Sequence, residues 1–66
     1  MQIVLNGKET VIEDSHTILS LLQSKGITPS AVVVELNGEI PQREKWDSIN
    51  ISDKDCIEVV KFMGGG

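Results

Sequence analysis

Apolar and polar positions alternate almost from the start, in Gln2-Ile3-Val4-Leu5 and again in Glu9-Thr10-Val11-Ile12-Glu13, with Asn6-Gly7-Lys8 between them. Successive side chains of a strand point to opposite faces, and Asn-Gly between two β-branched runs is the composition of a tight hairpin turn. The chain is therefore expected to open with a hairpin of Gln2–Leu5 and Glu9–Glu13. The period then changes: Ile18, Leu21 and Leu22 recur at i, i+3 and i+4, one face of a helix. Ser15 or Thr17 can accept from the free N–H groups at its start, Gly26 supplies a left-handed residue after its end, and Pro29 follows. This predicts a helix over Ile18–Lys25, about two turns long and so too short to persist unless packed on a sheet.

Val32, Val34 and Leu36 alternate with Val33 and Glu35, so the even-numbered face of a third strand is expected to meet the helix. Asn37-Gly38 turns this strand. From Ile40 to Asn50, Pro41, mixed charges and Trp46 break any period, which predicts a short edge segment followed by an irregular or 3₁₀ turn. Asp53-Lys54-Asp55 reads as a turn, and Cys56–Met63 as a last strand whose lack of Pro and Gly suits a central place in the sheet. The order strand, strand, helix, strand, edge piece, strand predicts an α+β fold, a mixed sheet of four to five strands with one helix packed on one face.

Size changes the picture of what such a fold can do. With 66 residues and 39% apolar content, the chain closes one small core and has no room for a deep catalytic cavity, so an enzyme is not expected. The longest apolar run, Ala31–Val34, is far short of the roughly 20 residues that span a bilayer, and no secretory leader precedes the first strand, so the expected location is cytoplasmic. The single cysteine, Cys56, excludes an internal disulfide and a multi-cysteine metal site. A net charge of −4, only Trp46 and Phe62 as aromatics and no basic stripe argue against nucleic acid and for a protein partner with a basic rim.

The last three residues, Gly64-Gly65-Gly66, follow the hydrophobic strand and serve no element of their own, which divides the chain into a domain of residues 1–63 and a flexible tail of residues 64–66. Extended, three residues reach about 10 Å. Without Cβ atoms they enter a channel too narrow for other residues, and the group delivered at the tip is the Gly66 carboxylate. A carboxylate becomes reactive toward sulfur or amine nucleophiles once a second protein adenylates it with ATP. A frayed end is the other reading of the same glycines.

Met1-Gln2-Ile3, the segment Leu36-Asn37-Gly38-Glu39-Ile40 followed by Arg43 and Trp46, and Asp53-Lys54-Asp55 with Ile57-Glu58-Val59-Val60 and the closing Gly-Gly resemble the ThiS family, the sulfur carrier proteins of thiamine biosynthesis. The resemblance covers the whole chain and implies the ubiquitin-like β-grasp fold. It further implies that Gly66 is adenylated by a ubiquitin-activating-like adenylyltransferase of the ThiF type, which uses ATP and magnesium. A sulfur-donor protein then supplies sulfur originating from cysteine to form a thiocarboxylate. Thiazole synthase of the ThiG type receives that sulfur. Gly65 and Gly66 match the family's diglycine, and Gly64 an extra glycine of some members. Pro41-Gln42-Arg43 departs from the usual Val-Pro-Arg, Lys54 stands where a turn glycine is common, and Cys56 where a polar residue is usual. Rival recipients are those of the molybdopterin synthase small subunit or a ubiquitin-like modifier; a β-grasp interaction module with a passive tail is a rival of another class.

Four further residues carry a docking reading. If Val32, Val34 and Leu36 face the helix, Val33 faces away, joined by Val60, Glu35 and Glu58, an apolar centre with acidic borders suited to a basic-rimmed activating enzyme. Cys56 is expected to act as a small hydrophobe in its strand rather than as a persulfide or thioester site. His16 lacks a second ligand at metal spacing, and Asp53 with Asp55 are too few oxygens for calcium, so no metal is expected. Trp46 is read as a cap over the core or as a partner anchor.

Overall fold

The computed structural model describes residues 1–62. Its elements follow from the local signals. Asn6 and Gly7 have φ of 51° and 81°, and Asn37 and Gly38 have 52° and 86°, the paired left-handed conformations that a type I′ hairpin turn requires. The first pair joins β1 (Gln2–Leu5) to β2 (Lys8–Val11). The helix α1 spans Ile18–Ser24. Its cap is Thr17, whose Oγ1 accepts from the Ser20 N–H at 3.1 Å while the Thr17 N–H donates to Ser20 Oγ at 2.8 Å. This is a capping box in which serine stands in for the usual glutamate or glutamine, a substitution that hides the motif from a pattern search. Gly26, at φ 71°, ends the helix.

β3 (Val32–Leu36) and β4 (Cys56–Lys61) complete a four-stranded sheet in the order β2-β1-β4-β3. β4 is central, parallel to β1 and antiparallel to β3. One sheet face meets the helix. Ile18, Leu21 and Leu22 of α1 pack with Ile3, Val32, Val34 and Ile57 from the strands, and Ile12, Trp46 and Ile51 close the margins. Every member of this cluster is at most 9% exposed. No helix among the described residues is long and apolar enough to cross a membrane.

Both asparagines of the hairpin turns bind β4 as well as turning the chain. Asn6 Oδ1 accepts from the Val59 N–H and Asn37 Oδ1 from the Cys56 N–H, each at 2.8 Å. The Asn37 amide also donates to Asp55 Oδ1 at 3.0 Å. In the turn before β4, Gln2 N–H donates to Asp53 Oδ1 and Ser52 N–H to Asp55 Oδ2, both at 2.8 Å, so these carboxylates are engaged by donors of their own chain. Lys54 sits between them at φ 72°, a conformation that favours glycine.

The expected boundaries shift in places. β2 starts at Lys8 and ends at Val11 instead of spanning Glu9–Glu13, because the two-residue turn pairs Leu5 with Lys8 directly. The helix stops at Ser24, one residue short of Lys25, and a 3₁₀ turn at Pro29–Ala31, not anticipated from the sequence, leads into β3. β4 ends at Lys61, and Met63, the expected end of this strand, lies outside the described residues. The edge segment forms no fifth strand. It contributes isolated bridges, Leu36 to Glu39 and Asn50 to Thr17, since Pro41 has no N–H to extend a ladder. The expected 3₁₀ turn is present at Arg43–Lys45.

Trp46 resolves in favour of the core: it is 2% exposed, and its Nε1–H donates to the Pro41 carbonyl at 3.2 Å. Arg43 lies over its ring, 5.3 Å from the centroid, and reaches the Val32 carbonyl through Nη2 at 2.9 Å. Cys56 is a correction. It is exposed, because alternation along β4 buries Ile57 and turns Cys56 to the face away from the helix, so it is not a small core hydrophobe.

Three substitutions separate turn geometry from hydrogen bonding. Asn6→Gly keeps the left-handed turn but removes the acceptor for Val59 N–H, and is expected to cost about 1 kcal/mol. Asn6→Ala is expected to cost about 1 kcal/mol more through the left-handed penalty. Lys54→Gly relieves that same penalty, and should raise the unfolding free energy by about 0.5–1 kcal/mol in urea denaturation. A loss of stability in Lys54→Gly would contradict this account of the turn.

Candidate functional site

Alternation places Val33 and Glu35 of β3, Cys56, Glu58 and Val60 of β4, and Val4 of β1 on the sheet face that the helix leaves open. The four residues singled out for docking form two cross-strand pairs there, Val33 opposite Val60 and Glu35 opposite Glu58. Asn37 N–H donates to Cys56 O at 2.8 Å and Phe62 N–H to Ala31 O at 3.0 Å. By alternation between these rungs, both docking pairs are hydrogen-bonded pairs, with Cα atoms about 5.5 Å apart. Val60 is 59% exposed, Glu58 is exposed, and Val33 and Glu35 are half-buried.

The arrangement differs from an apolar centre with acidic borders. With one pair per rung, the Glu35–Glu58 row lies between the Val33–Val60 row and a second apolar row, where Val4 of β1 pairs with Cys56. The acids form a band between two apolar patches. Like charges directly opposite one another on a sheet are destabilising. Among the described residues neither carboxylate meets a Lys or Arg at ion-pair distance, where the recorded contact is between the Met1 ammonium and Asp14.

The sequence reading missed several members of this surface. Val4 shares a rung with Cys56, and the exposed Phe62 stands two positions beyond Val60. Ile40, 67% exposed, lines a cleft of about 320 Å³ with Val33, Pro41, Gln42, Arg43 and Trp46. Period-two reading of β1 and β4 would have found Val4 and Phe62; Ile40 carries no periodic signal. Gly64, Gly65 and Gly66, the residues expected to carry the chemistry, lie outside the described residues.

Helix, mixed sheet and two Asn-Gly hairpins in this order make the chain a ubiquitin-like β-grasp domain with an open sheet face. The model of the ThiS family matches residues 2–66, and the chain belongs to that family. A sulfur carrier protein ThiS of Bacillus subtilis is 41% identical over 63 residues, covering 94% of this chain and 96% of that protein. A thiazole synthase of Paramagnetospirillum magneticum is 36% identical over 66 residues; the match takes in all of this chain, which spans 20% of that longer protein. The crystal structure of a thiamine biosynthesis protein (ThiS) from Geobacter metallireducens superposes with a TM-score of 0.87 at 35% identity, each chain covered completely.

The opposed carboxylates make a prediction about stability alone. Glu58→Lys converts a like-charge pair into an opposite-charge pair, and the unfolding free energy is expected to rise by about 0.5 kcal/mol, less at high salt. Denaturant titration at low and high ionic strength measures both effects. Unchanged or reduced stability would show that the two carboxylates do not repel across the sheet.

Proposed function

We propose that this chain is a sulfur carrier of thiamine biosynthesis whose chemistry resides in the terminal carboxylate of Gly66, with residues 1–63 as the folded handle and residues 64–66 as the flexible tail. The observation that carries this reading is the family match, which runs through residue 66 and so includes the glycines. The protein is a co-substrate and not a catalyst. An adenylyltransferase of the ThiF type brings ATP and magnesium; a Gly66 carboxylate oxygen attacks the α-phosphorus, and pyrophosphate leaves. A persulfide of the donor protein then attacks the acyl carbon and AMP leaves, giving an acyl disulfide; a thiol cleaves its S–S bond by exchange, so that a thiocarboxylate remains and the donor leaves as a disulfide with that thiol. Thiazole synthase takes that sulfur for the thiazole ring, a step supported by the likeness to thiazole synthases of Paramagnetospirillum magneticum and Magnetococcus marinus at 36% and 38% identity. The cytoplasm, where ATP is available, is the proposed location.

In this reading the open sheet face docks the activating enzyme. Val33 and Val60 supply desolvated contact, while Glu35 and Glu58 demand cations from the partner, since a Lys or Arg placed between them relieves their repulsion. A band of carboxylates between two apolar patches suits a partner whose contact is basic at its centre and apolar on either side.

Two experiments check the reading. Adding one residue after Gly66 leaves the core untouched and displaces the reactive carboxylate, so thiocarboxylate formation with activating enzyme, ATP and a sulfur donor is expected to vanish in intact-mass spectra. The unmodified chain should gain the mass of one oxygen exchanged for sulfur, and equal loading of the extended chain would refute the assignment of the chemistry to Gly66. Separately, Val60→Lys should slow adenylation by about tenfold, equivalent to roughly 1.4 kcal/mol, with a melting temperature changed by only a few degrees. Adenylation at the unmodified rate would remove the docking face from the proposal.

A further inference from the structure

The sheet has two edges, and they are treated differently. Along β3, Leu36 and Glu39 exchange backbone hydrogen bonds at 2.7 and 3.0 Å, and Arg43 Nη2 occupies the Val32 carbonyl. Along β2 nothing comparable is present among the described residues. Met1 and Ile12 exchange backbone bonds of 2.7 and 2.9 Å. Alternation then makes Ile3–Thr10 and Leu5–Lys8 the other bonded pairs of the hairpin and turns the N–H and C=O groups of Glu9 and Val11 away from β1. The register runs from Gln2–Val11 to Leu5–Lys8 without a bulge, and the strand holds no proline. Unpaired strand edges are templates for a further strand, and proteins ordinarily blunt them.

Side chains around this edge select what could pair with it. Val11 is 80% exposed, and the exposed Glu9 and Glu13 stand two positions to either side of it. Where β2 ends, a groove of about 270 Å³ opens toward the end of α1, lined by Val11, Ile12, Glu13, His16, Ser24 and Lys25. We propose that the outer edge of β2 takes up an extended segment of a partner protein by strand addition, a segment whose every second residue runs cation, apolar, cation along one face. Main-chain bonds to Glu9 and Val11 give the pairing. Cations opposite Glu9 and Glu13 with an apolar residue against Val11 give the selectivity. This edge lies two strands away from the Val33–Val60 rung.

A second copy of this chain fits the edge poorly. Antiparallel two-fold pairing through Glu9 and Val11 sets Glu9 against Glu9, Glu9 against Glu13, or Lys8 against the apolar Ile12, and both partners carry a charge of −4.

The test is amide hydrogen exchange on the isotopically labelled full chain, alone and with a blocked peptide of repeating Lys-Thr-Val-Thr, which sets Lys and Val in turn along one face. Exchange at the Glu9 and Val11 amides is expected to slow by about tenfold or more at saturating peptide. N-methylation of alternate peptide amides should abolish this protection, and Glu9→Lys should weaken binding by about tenfold while an otherwise identical peptide with Glu for Lys binds that variant better. The proposal would be overturned by unchanged exchange at Glu9 and Val11, by protection that appears at Val33 and Val60 instead, or by binding indifferent to N-methylation. Protection of Glu9 and Val11 that grows with protein concentration in the absence of peptide would assign the edge to a second copy and likewise overturn it.

Discussion

Strand β4 is hydrogen-bonded along both of its sides, and the fold is organised around that strand. It pairs in parallel with the first strand and antiparallel with the third, so it joins chain segments from opposite ends of the sequence. The parallel pairing is short, with two register positions. It is lengthened by the Asn6 backbone N–H on the Ile57 carbonyl and the Asn6 side chain on the Val59 N–H. On the opposite side Asn37 does the same at Cys56. Each hairpin turn therefore has two functions: its left-handed backbone reverses the chain, and its amide side chain satisfies a donor of the central strand that would otherwise depend on water.

This arrangement divides the sheet into faces of opposite character. Toward the helix, ten apolar side chains are at most 9% exposed, and Trp46 with Arg43 seals the margin. Away from the helix, a rung of two carboxylates follows a rung of two valines at some cost to the isolated domain, since Glu35 and Glu58 repel with no compensating cation among the described residues. On the proposed reading the packed face serves as the handle, and the charge repulsion lies on the face offered to the activating enzyme.

Local strain is handled in the same economical way. Lys54 holds a left-handed conformation without being glycine, and the turn is kept in place by Asp53, which accepts from Gln2, and by Lys54 N–H, which donates to the Gln2 carbonyl at 2.6 Å. The turn thereby fastens the start of the first strand to the approach of the last. Asp53 is occupied in that task, while Asp55 accepts from the Ser52 N–H and the Asn37 amide.

Much of this was legible in the residues. Two Asn-Gly pairs, the Ile18-Leu21-Leu22 spacing, Gly26 and the even-numbered valines specified the element order, the helix face and the central place of the last strand, because these are local steric and periodic rules that act within a few residues. The outward direction of Val33 and Val60 came from the same period. What sequence could not convey were the facts that depend on segments meeting across the fold. Glu35 lands opposite Glu58, Asn6 reaches Val59, Cys56 turns outward beside Val4, and Glu39 and Arg43 occupy one sheet edge while no described residue pairs with the other. Those depend on register and on which strands become neighbours, and register is set only when the core packs, since a shift of a single residue would exchange the buried face for the exposed one.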